Sequence, residues 1–226
     1  MNSPIEPAHT LDSVAAVRSR PWIGRPVGSR NTTKQARAVR TRETILADAA
    51  RQFDNDGYGN TSVSTILAAN DIAKGALYYH FPSKEAIAQQ LSESWNEAVA
   101  ESISDAAAHL DGGTAVDRLT AIFTSLAHKI ADDTTLRAGM KLTLEPAVDN
   151  GAAFAHWVDS IGEIIETAIT EGELTDTPIA RRLAWNLCAG TIGAANASAT
   201  LREDIDLATR IEDVVTAQLR NALTPA

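Results

Sequence analysis

Between Thr61 and Ile87 the chain reads TSVSTILAANDIAKGALYYHFPSKEAI. No other stretch restricts the fold so much. Val63, Ile66 and Leu67 make one short apolar segment, with Thr61 and Ser62 as N-cap candidates. A second short segment covers Lys74 to His80. The two lie about four residues apart, which suits a helix-turn-helix. Upstream, Ile45, Leu46, Ala49, Ala50 and Phe53 form an apolar stripe, and Gly57 stands where a helix C′ glycine belongs. Downstream, Ser83 caps a long helix whose apolar line is Ile87, Leu91, Trp95 and Val99, each four residues apart. Three helices are therefore expected at about 38–56, 62–69 and 74–80, followed by a long fourth.

The remainder keeps the helical period. Thr114 and Asp117 fit a capping box before Leu119, Ile122, Phe123, Leu126 and Ile130. Leu136 to Leu144 is a shorter helix ended by Pro146. Phe154, Trp157, Val158, Ile161 and Ile165 mark another. Thr177 before Pro178 opens a helix running to about Leu201, and Ile211, Val214, Val215 and Leu219 mark the last. No strand pattern and no internal repeat appear. The expected class is all-α, with about nine helices.

Charge divides the chain. The net charge is −9, yet Ser13 to Arg42 holds eight basic residues and no acid: Arg18, Arg20, Arg25, Arg30, Lys34, Arg37, Arg40 and Arg42. From Glu43 onward, 12 Lys and Arg face 27 Asp and Glu, a balance of −15. A basic arm on an acidic body suits either a local polyanion contact or a solvated tail. Residues 1–36 contain Pro4, Pro7, Pro21 and Pro26 and show no period, so a flexible basic arm is expected there. A single cysteine, Cys188, excludes an internal disulfide framework. No 18-residue apolar run and no signal-type h-region occur, so a cytoplasmic protein without a membrane span is expected.

In a helix-turn-helix the second helix enters the major groove of DNA. It must be small at its leading edge, and Gly75 and Ala76 supply that edge. Lys74 can reach a guanine edge or a phosphate. Tyr78, Tyr79 and His80 can donate to phosphates or touch thymine methyls, although Tyr78 also reads as core, as do Leu77 and Phe81. Ser83 and Lys84 open the next helix, whose free N–H groups favour a phosphate. Thr61 and Ser62 precede the first helix of the pair and complete the candidate DNA contacts together with Arg40 and Arg42, which with Arg37 can reach a minor groove. No metal site is expected, because His80 has no second ligand at helical spacing.

The run from Thr41 to Ile87, TRETILADAARQFDNDGYGNTSVSTILAANDIAKGALYYHFPSKEAI, resembles the N-terminal DNA-binding domain of the TetR family of transcriptional repressors. The resemblance implies a homodimeric, all-α protein. It implies binding to a palindromic operator and release when a small molecule fills the C-terminal domain. Two positions depart from the family pattern. Asp71 replaces a glycine in the turn, and Ala73 stands where Ser or Thr caps the recognition helix, a loss of about 1 kcal/mol. The expected division is 1–36 flexible arm, 37–86 helix-turn-helix domain, and 87–226 ligand-binding and dimerisation domain.

LRAGMKL at 136–142 and FAHWVD at 154–159 resemble the γ-butyrolactone autoregulator receptors within that family. The resemblance implies a ligand of butyrolactone, butenolide or furan type, with Trp157 at the place of a pocket tryptophan. A lipophilic lactone needs an apolar slot with a few hydrogen-bond donors. Trp157 offers an indole N–H and Thr143 a hydroxyl, while Leu91, Trp95, Ile122, Phe123, Leu126 and Met140 read either as slot or as ordinary core. Ala189, Gly190, Gly193, Ala194, Ala195 and Ala197 form a small face for close packing, across a two-fold axis or within one subunit. The long helix from Ser83 reaches both sites and is the expected lever. The chain is expected to be no enzyme and to need no cofactor: it shows no metal-spaced set, nucleophile elbow or phosphate-binding glycine loop. The alternative is a DNA-binding relative without a ligand, a pseudo-receptor.

Overall fold

The computed structural model describes residues 29–69, 72–110, 112–200 and 205–223. The chain divides after Arg37 into two units, Met1–Arg37 and Ala38–Ala226. In the first unit the described residues, 29–37, are helical, with Lys34 and Arg37 exposed. Arg18, Arg20 and Arg25 lie outside the described residues.

The first helix, α1 (Ser29–Asp56), begins at Ser29 and not at 38. The end of the expected arm, residues 29–36, is thus helical. Pro26 and Gly28 are the last breakers, and no proline or glycine follows before Gly57. Gly57 closes α1 with φ +80°, and its N–H donates to the Phe53 carbonyl at 3.1 Å. That left-handed conformation favours glycine.

Then come α2 (Val63–Ala68), α3 (Lys74–His80), α4 (Lys84–His109), α5 (Ala115–Asp132), α6 (Thr134–Leu142), α7 (Ala153–Thr170), a 3-10 turn (Ala180–Arg182), α8 (Leu183–Thr200) and α9 (Leu207–Leu223). Among the described residues there are nine α-helices and no strand. The expected caps form. Ser62 Oγ accepts from the Thr65 N–H at 3.0 Å, and Ser83 Oγ from the Ala86 N–H at 3.1 Å. Thr114 and Asp117 exchange both bonds of a capping box, which holds the Asp117 carboxyl below its ordinary range. Thr177 Oγ1 accepts from the Ala180 N–H at 3.1 Å, but the chain passes through the 3-10 turn before α8 starts at Leu183. A tightened first turn of this kind is common at helix ends.

Two apolar cores sit within the second unit. The first gathers Ile45, Ala49, Phe53, Ile66, Leu77, Phe81 and Ile87, and adds Leu91 from α4 with Ala138 and Leu142 from α6. The second gathers Trp95 and Val99 from α4, Leu119, Phe123 and Leu126 from α5, Met140 from α6, Trp157 and Ile161 from α7, and Leu187 and Ile211 from α8 and α9. Each buried Leu or Ile contributes about 1.5–3 kcal/mol. Helix α4 feeds both cores along its expected line.

The two cores meet where α6 crosses α4. A Cβ on Gly139 would lie 2.9 Å from the Leu91 carbonyl carbon, closer still to its oxygen, and 3.2 Å from Trp95 Cβ. Only glycine permits that approach. The small face of α8 serves packing within the subunit in part. A Cβ on Gly190 would meet Val214 Cγ1 of α9 at 2.9 Å, whereas Gly193 and Ala197 stay exposed, as does Trp185 at 58%.

Gly139→Ala is expected to destabilise the protein by about 1–3 kcal/mol, because the α4–α6 backbones must separate. Urea unfolding measures it, and Gly75→Ala, whose Cβ meets no atom within 4 Å, is the control expected to stay within about 0.5 kcal/mol.

Candidate nucleic-acid interface and ligand site

Ile66 and Leu77 are fully buried, and Phe81 nearly so, which pins α2 and α3 on α1. The Ile72 N–H donates to the Leu67 carbonyl at 3.2 Å and closes the turn. Residues 70 and 71, including the departure at Asp71, lie outside the described residues. Ala73 makes no side-chain cap bond, as its identity requires.

With Leu77 turned inward, α3 presents its other face to solvent. Lys74 and Gly75 are exposed, Ala76 half-buried, Tyr78 45% exposed and Tyr79 80% exposed. The Lys74 ammonium lies 5.9 Å from the Tyr78 ring centre. The Tyr79 and His80 rings meet edge to face at 5.0 Å. Nothing lies within 4 Å of the Gly75 Cβ position, so the edge of α3 is open as well as small. Tyr78 is thus half outward rather than core. An apolar anchor beneath and a cation with ring hydroxyls above are the parts a duplex reader needs.

Other expected contacts have different duties. Thr61 is buried, and its hydroxyl donates to the Gly57 carbonyl at 2.9 Å, so it holds the α1–α2 loop and offers nothing outward. Ser62 is exposed but serves as the α2 cap. Lys84 donates to the Tyr58 and Thr61 carbonyls at 2.8 and 3.0 Å and lies 3.9 Å over the Tyr58 ring. Its charge therefore ties α4 to the α1–α2 loop. Burial first, then the carboxylates of Glu85 and Glu145, hold the Tyr58 phenol above its ordinary value. Arg42 stacks 4.9 Å over Phe81 and donates to Gln90 Oε1 at 2.7 Å. Arg40 is exposed.

A clamp that sequence reading missed joins α1 to α6. Arg137 Nε donates to Asp54 Oδ2 at 3.0 Å, and Lys141 Nζ lies 2.7 Å from Asp54 Oδ1. All three side chains are largely buried. Arg137 and Lys141 are four residues apart and share one face of α6. That basic pair within LRAGMKL was the available signal, but its partner lies 83 residues upstream along the chain.

The expected ligand residues come together, with two exceptions. Trp95 and Trp157 pack edge to face, with centres 5.0 Å apart, and Phe123 and Phe154 flank Trp157 at 6.2 Å. Ile122, Leu126 and Met140 are buried in the same core. Leu91 belongs to the other core, because its place on α4 faces Ala138 and Leu142. Thr143 is buried, but its hydroxyl proton goes to the Met140 carbonyl at 2.7 Å, so it is no free donor. The Nε1 atoms of Trp95 and Trp157 and the hydroxyl of Ser92 are buried without a hydrogen-bond partner. Ser92 was not expected, since it stands off the apolar line of α4.

An outward-facing recognition helix on a three-helix core, with a separate helical body behind it, is the architecture of an all-α DNA-binding regulator. Residues 45–91 match the family model described as bacterial regulatory proteins, tetR family. The solved structure of full-length TylP, a TetR regulator from Streptomyces fradiae, is 30% identical, with 85% of this chain and 83% of that chain covered and a TM-score of 0.58. A gamma-butyrolactone receptor described as ArpA-like is 25% identical over 81% of this chain and 97% of that chain, with a TM-score of 0.64. The A-factor receptor protein of Streptomyces griseus is 33% identical over 144 residues, 62% of this chain and 49% of that protein. The chain thus spans about half the length, or less, of the first curated relatives it matches. The chain belongs to the TetR family of transcriptional regulators, and its N-terminal helix-turn-helix, within the matched residues 45–91, is that family's DNA-binding domain.

Lys84→Met is expected to lower stability by about 1–2 kcal/mol, since two carbonyls lose a charged donor. A fall in the urea midpoint with unchanged m checks it; an unchanged midpoint would remove Lys84 from the scaffold.

Proposed function

We propose that this protein is a dimeric repressor that holds a palindromic operator through α3 and lets go when a small lipophilic molecule of butyrolactone, butenolide or furan type enters the Trp95–Trp157 core. The observation that carries the reading is the pair of buried indole N–H groups without partners inside an apolar cluster. Buried donors are normally satisfied, and orphans in a native core call for an explanation such as a ligand. The names of two relatives, a gamma-butyrolactone receptor and the A-factor receptor protein, support the ligand class.

Lys74 Nζ and the Tyr79 hydroxyl take phosphates or base edges, and the small Gly75–Ala76 edge lets α3 come close. The exposed Trp185 and the small Gly193 and Ala197 on α8 support a subunit interface there. Two copies about one DNA turn apart then read a palindrome. Switching is two-state linkage: a ligand that prefers the non-DNA arrangement weakens operator binding, and DNA weakens ligand binding by the same factor. The conduit is α4. Its first turn is tied to the α1–α2 loop by Lys84, and its middle meets α6 at Gly139, which the Asp54 clamp joins back to α1. A ligand that pushes Trp95 therefore works on both attachments. Coupling of about 1–3 kcal/mol, or about 5- to 150-fold, is the ordinary range.

The test is a gel shift on the protein's own upstream DNA. Lys74→Ala is expected to cut operator affinity and to lower the log–log salt slope by about 0.9, with folding unchanged. Trp157→Ala is expected to keep operator binding yet fail to release it on lactone addition. Wild-type protein that binds the operator and ignores every lactone and furan would instead be the ligand-free regulator.

A further inference from the structure

Three uncharged side chains share one property among the described residues: Ser92, Trp95 and Trp157 are at most 2% exposed, and their polar atoms have no partner. Two of them, Ser92 and Trp95, stand three residues apart on α4 and so lie on neighbouring positions of one face. The third comes from α7 and packs against Trp95. Other buried hydroxyls differ. Thr143 and Thr191 bond helix carbonyls at 2.7 and 2.8 Å, and Ser102 pairs with Ser125 at 3.3 Å. The uncharged orphans are thus two neighbouring positions of α4 and the α7 indole that packs on one of them.

The charge inventory restricts what can satisfy them. Among the described residues the only fully buried charged side chain is Asp48, on α1. Among the described residues no Lys, Arg or His is fully buried, in the Trp95–Trp157 core or elsewhere. A carboxylate there would have indole and hydroxyl donors but no counter-charge, and an uncompensated buried charge is far costlier than a neutral carbonyl. An amine would find no acid. Indole N–H groups only donate, so the matching atoms are acceptors.

Resting on the ligand reading above, we infer that Ser92 and Trp95 form a second polar subsite on α4, separate from Trp157, and that it takes an uncharged molecule with at least two oxygen acceptors. One oxygen goes to the Trp157 indole on α7 and another to the α4 pair. The ligand then bridges the lever helix and the body rather than filling one wall. A furan bearing a carboxylate is a poor occupant, and a keto-lactone is a good one.

The experiment uses full-length protein and two probes: an octanoyl γ-butyrolactone, neutral with two carbonyl acceptors, and an octylfuran carboxylate, of similar length but anionic. Calorimetric titration at pH 7.5 gives affinity, and thermal unfolding without probe gives Tm. Wild type is expected to bind the lactone at least tenfold tighter than the carboxylate. Ser92→Ala and Trp95→Phe are each expected to weaken lactone binding by about three- to tenfold. Without probe, Tm is expected to stay at or above wild type for Ser92→Ala, which removes only an unpartnered hydroxyl, and to fall for Trp95→Phe, which leaves a cavity; Ser92→Ala is therefore the variant that separates binding from stability. Lactone affinity unchanged in both variants while Trp157→Phe loses it would overturn the α4 subsite and leave the ligand reading standing. Equal affinity for the carboxylate would overturn the neutral-ligand assignment. Wild type that grips DNA but binds neither probe would sink the ligand reading itself, and the subsite with it.

Discussion

Leu91 and Gly139 are in backbone contact, and most of the molecule is arranged around that point. Helices normally keep 8–10 Å between axes because side chains intervene. Here α6 has no side chain at the crossing, so its backbone rests on the Leu91 peptide and on Trp95 Cβ. Everything on α6 is thereby placed relative to α4. Ala138 and Leu142 fall into the core beneath the DNA-binding helices, and Met140 falls into the other. Arg137 and Lys141 are carried to Asp54. One glycine thus sets how two cores and an ion-pair cluster meet.

That geometry makes α4 a poor independent mover and a good transmitter. A helix of 26 residues is about 39 Å long. Its first turn is held by Lys84, and its middle is pressed between Gly139 and the Trp95–Trp157 contact. Packed cores shift between discrete arrangements rather than deforming smoothly. A displacement at Trp95 must therefore change the α4–α6 crossing, the Asp54 clamp or both, and each of these bears on the core under α3. On the proposed reading, coupling by this route needs no chain of residues through the body, because α4 and α6 contribute to both cores.

The helix pattern was legible because period and caps are local. Ser62, Ser83 and the Thr114–Asp117 box act within three residues, and Ile87, Leu91, Trp95 and Val99 are all buried as their spacing requires. What could not be read is set by partners distant along the chain. Lys84 looks like a phosphate ligand at a helix N-terminus until the Tyr58 and Thr61 carbonyls are brought to it. Thr61 looks free until Gly57 turns the chain over it. Leu91 lies on the same stripe as Trp95, yet one helical turn separates two cores. Ser92 was invisible for another reason: a serine beside an apolar stripe is ordinary, and only its lack of a partner singles it out. The start of α1 lies upstream of the expected 38 because residues 29–37 carry no apolar period to mark a helix, although the last breakers, Pro26 and Gly28, end before them.

The acidity of the whole chain does not oppose a DNA-facing surface. At physiological salt the Debye length is about 8 Å, so exposed charges further away than that act weakly on one another. Acids on α5, α7 and α9 lie on the body, beyond the core beneath α3, and are screened from that helix. On the proposed reading, a polyanion meets first the exposed local set of Lys74, Tyr78 and Tyr79, with Arg40 on α1. Asp54, the acid in the clamp, has its charge matched by Arg137 and Lys141. The interface therefore needs few cations of its own, provided the acids near it are already paired. This gives the clamp a second duty beside cohesion: opened, it would leave an unmatched carboxylate at the C-terminal end of α1, within the same small domain that holds α3.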